Sequence, residues 1–187
     1  MELNEIISRI YRMPEDSMKK LAACALEVHY PKGYCVFESG KKETSVFFLK
    51  QGIARAYILQ DGREVTFWIG KEGDTLVSLK SYVEDKCGYE NLELMEDSTL
   101  YKFRRNDIYK LFDEDINIAN WGRKLAETEF LNTEERLIPM LFTTATERYK
   151  TLLKENPDLL QRIPLECLAS YLGVTPVSLS RIRSDLK

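Results

Sequence analysis

The stretch from Ile116 to Phe142 constrains this chain more than any other, because it reads as one long helix that is apolar on two sides. Ile118, Trp121 and Leu125 fall along one side, while Ala119, Ala126, Phe130, Leu137 and Leu141 recur along another. A helix of that kind must be covered twice. One cover can be the chain's own globular domain, and the other a second copy of the same helix, in an isologous homodimer through residues 116–141. Its length exceeds that of an ordinary globular helix and favours the dimer. Pro139 is expected to kink or end it.

The preceding texture is different. Short β-branched and aromatic runs, Tyr34–Phe37, Ser45–Leu49, Ile53–Leu59, Arg63–Ile69 and Thr99–Phe103, alternate with Ser39-Gly40, Gln51-Gly52, Asp61-Gly62 and Glu72-Gly73-Asp74. Asp-Gly is a preferred two-residue hairpin loop, so the pattern predicts a compact antiparallel barrel or roll. Helical spacing over Leu3–Met13 and Asp16–Val28, with Asn4 and Asp16 as caps and Pro14 between, predicts two leading helices. Asn106 is a third cap candidate. Thr144-Ala-Thr-Glu147 has capping-box spacing and predicts a helix to Lys154. The expected division is a sensor at 1–112, a dimerisation helix at 113–142 and a small helical domain at 143–187.

Apolar residues make up 44% and charged residues 30%, a globular composition without an expected membrane span. Glu2, Glu5 and Arg9 interrupt the apolar residues at the start, so no signal peptide is expected and the cytoplasm is the expected location. Cys24, Cys35, Cys87 and Cys167 form no CxxC pair, which predicts neither a metal nor an iron–sulfur cofactor. The net charge of −3 argues against general coating of nucleic acid. From Leu160 onward, however, Arg162, Arg181, Arg183 and Lys187 outnumber Glu166 and Asp185, leaving a locally basic tail on an acidic body.

The segment Leu165–Ser184 points most directly to function. A helix-turn-helix needs apolar contacts between its helices, a small residue where they cross and a glycine in the turn. Leu168, Leu172, Val174, Leu179 and Ile182 supply the contacts, Ala169 the crossing and Gly173 the turn. Thr175 is placed to cap a second helix running from Pro176 to about Leu186. Its outer face would carry Val177, Ser178, Ser180, Arg181 and Ser184 into a major groove, with Arg181 suited to guanine. Arg183 and Lys187 are better placed for phosphates.

These features resemble the cyclic-AMP receptor and fumarate-nitrate-reduction (Crp/Fnr) regulator superfamily, especially its short members from Bacteroidetes. The resemblance rests on Asp61–Trp68, Glu147-Arg-Tyr149, Asn156-Pro157, Leu160-Gln-Arg162, Ala169–Pro176 and Leu179-Ser-Arg-Ile-Arg183. It implies an α+β fold: an antiparallel β-roll of the cyclic-nucleotide-binding kind (a double-stranded β-helix), a dimerisation helix and a C-terminal helix-turn-helix. With the sequence ending at Lys187, a truncated or absent wing is expected. The implied function is sequence-specific transcription regulation on double-stranded DNA as a homodimer, with RNA polymerase as a further implied partner and no membrane.

Nucleotide-binding members carry a Gly-Glu pair for the ribose and an Arg-Ser or Arg-Thr pair for the cyclic phosphate. Here Val77-Ser78 and Gly88-Tyr89 stand at those places. Cyclic AMP is therefore not the expected effector, since its phosphate would be desolvated without a guanidinium partner. Lys86 is nearby in sequence but offers a point charge instead of a fork. Trp68, Val77, Ser78, Lys86, Gly88 and Tyr89 are the candidate pocket residues, and Phe47, Phe48, Tyr57, Phe67 and Trp68 an aromatic set able to line it. Val177 stands where the group often has Glu, which predicts a different operator. An enzyme is disfavoured because the single histidine, His29, sits in a helix-end segment without a nucleophile partner. Asp113-Glu-Asp115 reads as a helix start. The competing expectation is a ligand-sensing or protein-interaction module whose helix-turn-helix no longer binds DNA.

Overall fold

The computed structural model describes residues 1–186, so Lys187 lies outside it. Two four-stranded antiparallel sheets form the roll. The first has the order β1 (Leu26–Tyr30), β8 (Ser98–Phe103), β3 (Val46–Gln51) and β6 (Thr75–Leu76). The second has β2 (Cys35–Phe37), β7 (Asn91–Leu94), β4 (Ala54–Gln60) and β5 (Arg63–Gly70). Gln60 pairs with Arg63, so Asp61-Gly62 is the whole hairpin loop. Both loop residues take positive φ, 51° and 73°, the pair of left-handed conformations that favours Asp-Gly there.

Period-two alternation lets the first sheet bury both faces. Phe47, Leu49, Leu76 and Leu100 pack with Phe37, Ala54, Ala56, Leu92 and Leu94 of the second sheet to form the inter-sheet core. Val46, Phe48, Tyr101 and Phe103 form a separate core with helices. Those helices are α1 (Leu3–Ile10), α2 (Glu15–Ala23), α4 (Arg105–Glu114) and α5 (Ile116–Phe142). The Phe48 ring lies 5.7 Å from Phe103 and 6.0 Å from Trp121, both fully buried with it.

Three expected caps fall two residues too late. Asn4, Asp16 and Asn106 each lie inside a helix whose cap position is Glu2, Pro14 or Arg104, with no capping side-chain bond. The second leading helix also stops at Ala23, because Leu26–Tyr30 is claimed by pairing with β8. His29 is consequently an exposed strand residue, its Nδ1 2.9 Å from Thr99 Oγ1. Short α3 (Leu79–Glu84), β6 and β7 had no expectation attached.

The long helix spans Ile116–Phe142 as the periodicity implies, and Asp115 caps it by accepting from Asn117 N–H. Of the Asp113–Asp115 triplet only Asp115 starts a helix, the other two ending α4. Pro139 neither ends the helix nor stops its last turn, since Thr143 N–H still donates to Pro139 O at 3.0 Å. The capping box opens α6 (Ala145–Glu155), followed by α7 (Leu159–Arg162), α8 (Leu165–Tyr171) and α9 (Pro176–Asp185). Among the described residues no strand follows α9, and no helix is long and apolar enough to cross a membrane.

Candidate functional site

Between one end of the roll, α3, α4 and the middle of α5 lies a cavity of about 770 Å³. Phe67 and Trp68, although adjacent, both line it. The register jumps from Ala56↔Trp68 to Tyr57↔Thr66, leaving Phe67 as the extra residue of a bulge that re-aims the strand. Leu76, Val77, Tyr82, Tyr89, Leu92, Phe112, Trp121 and Leu125 continue a mostly apolar wall.

Of the sequence-derived pocket residues, Trp68, Val77 and Tyr89 line the cavity. Ser78 is buried outside its lining, with Oγ 3.3 Å from Ser81 Oγ. A Cβ at Gly88 would come 2.6 Å from Ser78 Oγ, so a larger residue at 88 requires a shift. Lys86 is exposed, turned to Glu84 at 2.9 Å and absent from the lining, so it is no substitute for an arginine. The aromatic set divides as strand alternation demands. Phe47 belongs to the inter-sheet core, Phe48 to the helix-facing core, and Tyr57 stacks under Arg55 at 4.4 Å.

Sequence reasoning missed Glu90, which lines the cavity at 7% exposure. Its Oε2 accepts from Tyr89 N–H at 3.0 Å, and no ion pair forms to it among the described residues. Adjacency to Tyr89 was the available signal. Of the α5 lining residues, Trp121 and Leu125 fell on the side expected to be covered by the globular domain, but nothing in their spacing marked a cavity there. Glu129 also lines the cavity; burial, followed by the nearness of Asp74, raises its carboxyl, and burial likewise raises Asp74. Burial also pushes the Tyr82 phenol up.

In the C-terminal helices, Leu168, Ala169, Leu172 and Leu179 are buried together, with Val174 and Ile182 packed against them. Gly173 adopts φ +69°, and Val174 N–H donates to Ala169 O while Gly173 N–H donates to Ser170 O. This pair of bonds closes α8 and turns the chain into α9. Thr175 Oγ1 accepts from Ser178 N–H at 3.2 Å, with Pro176 in the first turn. Val177, Ser180, Arg181, Arg183 and Ser184 are exposed, while Ser178 is half-buried at the cap. Lys187 lies outside the described residues.

These helices lie against the outer face of the second sheet. Thr66 N–H donates to Ser170 Oγ at 2.8 Å, and that hydroxyl donates to Glu64 O. Arg162 is held between Glu72 at 2.8 Å and Glu96 at 2.5 Å, which removes it from the basic tail inferred from sequence. The hydrogen bonds that Arg162 donates to Glu96 and then to Glu72 raise its pKa. Burial works to raise the Glu72 carboxyl, yet the bonds from Arg162 and Gly52 N–H win and lower it to about 2.

Residues 27–115 match the family model of the cyclic nucleotide-binding domain. No curated protein matches the sequence significantly. Among solved structures, FixK2 from Bradyrhizobium japonicum is similar at a TM-score of 0.74 and 22% identity, over 87% of this chain and 84% of that one. The c-di-GMP-responsive global regulator CLP from Xanthomonas campestris gives 0.72 and 16%, over 92% and 91%. The Thermus thermophilus catabolite activator protein gives 0.59 and 18%, over 95% and 85%. At these identities the likeness establishes the fold, one shared with regulators of the Crp/Fnr type.

Proposed function

We propose that this chain, with a cyclic nucleotide-binding-family domain at residues 27–115 and the fold of the Crp/Fnr regulators, is a sequence-specific DNA-binding transcription regulator whose effector is not cyclic AMP. The observation that carries the reading is α9. Its inner residue Leu179 is buried against α8, while Val177, Ser180, Arg181 and Ser184 remain exposed, uncovered by any of the described residues. A helix-turn-helix presents its second helix to a major groove in that way. Arg181 is the base-reading candidate, and Arg183, offset by two residues, points elsewhere and reaches phosphate.

The homodimer follows from the distal half of α5. Phe130, Leu137, Ile138, Leu141 and Phe142 are all exposed in the single chain, and a second α5 would cover them. The two reading helices would then sit roughly 34 Å apart, one turn of DNA. The effector site is the cavity beside Glu90. Cyclic AMP is the wrong occupant because Gly88-Tyr89 stand where nucleotide-binding members carry the phosphate-holding arginine, and Lys86 faces away.

The test is a binding-site selection with wild type, Arg181→Ala and Arg183→Ala, run beside sedimentation. Arg181→Ala is expected to flatten one base position, worth about 1–3 kcal/mol. Arg183→Ala is expected to weaken all sequences alike and lower the salt slope by about one unit. A wild type that selects no site, or sediments as a monomer at every concentration, overturns the reading. The rival, a sensing module without DNA binding, draws support from the capture of Arg162 by the roll, which leaves few free cations near α9.

A further inference from the structure

Resting on the reading of the cavity as an effector site, we propose that its ligand is a largely apolar amine whose ammonium group binds Glu90. The wall is aromatic and aliphatic over most of its extent, from Phe67 and Trp68 on the roll to Phe112 and Trp121 on the helices. A ligand filling about 770 Å³ of such space gains affinity chiefly by burying apolar surface.

One polar group on this wall is incomplete in a way that a cation would complete. Glu90 is buried to 7% exposure, accepts one bond from Tyr89 N–H and has no cation within ion-pair distance among the described residues. Trp121 Nε1–H also lacks an acceptor, but that donor is fully buried and an ammonium, itself only a donor, does not satisfy it. A buried carboxylate lacking a partner is costly, and an ammonium arriving with the ligand removes that cost by forming a short charge-assisted bond. The aromatic rings nearby favour a cation as well. An anion placed there would instead face Glu90 across a low-dielectric space. Arg123 and Arg136 also line the cavity. Arg123, paired with Glu127, and Arg136, near Glu129, both belong to α5, and neither forms an ion pair with Glu90 among the described residues.

The experiment is calorimetry on the full chain with tryptamine, tryptophol and indole acetate, which share one ring and differ in the charge of the tail, and with cyclic AMP. Tryptamine is expected to bind most tightly and indole acetate least. Glu90→Gln is expected to weaken tryptamine about tenfold or more while leaving tryptophol unchanged, the neutral alcohol serving as the check that the cavity is intact. Equal affinity for amine and acid, an unchanged amine-to-alcohol ratio in Glu90→Gln, or no binding by any of the three overturns the proposal. The DNA selection is a separate arm: amine binding without a selected site sinks the regulator reading alone, and a selected site without amine binding sinks this one alone.

Discussion

The two sheets meet their helices by opposite means. The first offers Val46, Phe48, Tyr101 and Phe103 to α1, α2, α4 and α5, and the contact is an apolar core with Trp121 near its centre. The second offers a polar face to α8. Arg55, 6% exposed, donates to Glu93 and Glu64, lies 3.5 Å from Thr66 Oγ1, and is bordered by the Ser170 bonds and the Arg162 clamp. An apolar seam at Ile53 and Met95 completes it. Apolar burial is additive and non-directional, whereas a polar docking face depends on pairings that can be exchanged for water. The first contact therefore belongs to the permanent core, and the second is the one suited to parting.

The largest expected effect is on the first side. Trp121→Ala is expected to cost about 3–5 kcal/mol in denaturant unfolding, as for other large buried aromatics. A loss below about 1 kcal/mol would break the comparison. Next is Arg55→Ala, which leaves Glu93 and Glu64 without their cation. Because Glu64 is half exposed, the cost is discounted to about 2–3 kcal/mol. Hydrogen exchange is expected to rise at α8 before it rises in the inter-sheet core; simultaneous loss in both would make the two contacts alike.

The smallest effect is on the clamp and depends on pH. Glu72 has a folded pKa near 2 against an ordinary value near 4.5, so the unfolded chain binds more protons between them. Its contribution is complete above about 4.5 and is lost as pH falls toward 2. Partial exposure reduces it to about 1–2 kcal/mol. Glu72→Gln is expected to cost that amount at neutral pH and to flatten this part of the acid-unfolding profile. An unchanged profile would mean that the clamp contributes nothing to docking.

Local signals in the chain were reliable where one short segment contains its own reason. The bounds of α5, the Thr144–Glu147 box, the Asp61-Gly62 hairpin and the α8–Gly173–α9 turn with its Thr175 cap are all decided by periodicity, φ preference or a bond three residues long. Where a distant strand competes, local pattern loses. Leu26–Tyr30 looks helical in isolation, but pairing with β8 satisfies its backbone, and the helix ends at Ala23. Trp68, Val77 and Tyr89 were legible as cavity residues, while Lys86 was misplaced because a flexible side chain chooses the nearest carboxylate, here Glu84.

Sequence alone therefore settled the long helix, the Asp61-Gly62 hairpin, the α8–α9 turn and the exposed face of α9, each written in spacing along one helix or across one turn. The cavity, the buried Glu90 and the capture of Arg162 by Glu72 and Glu96 were decided only by tertiary structure. They depend on which residues from distant parts of the chain arrive at the same place, and burial and charge pairing act through that distance in space.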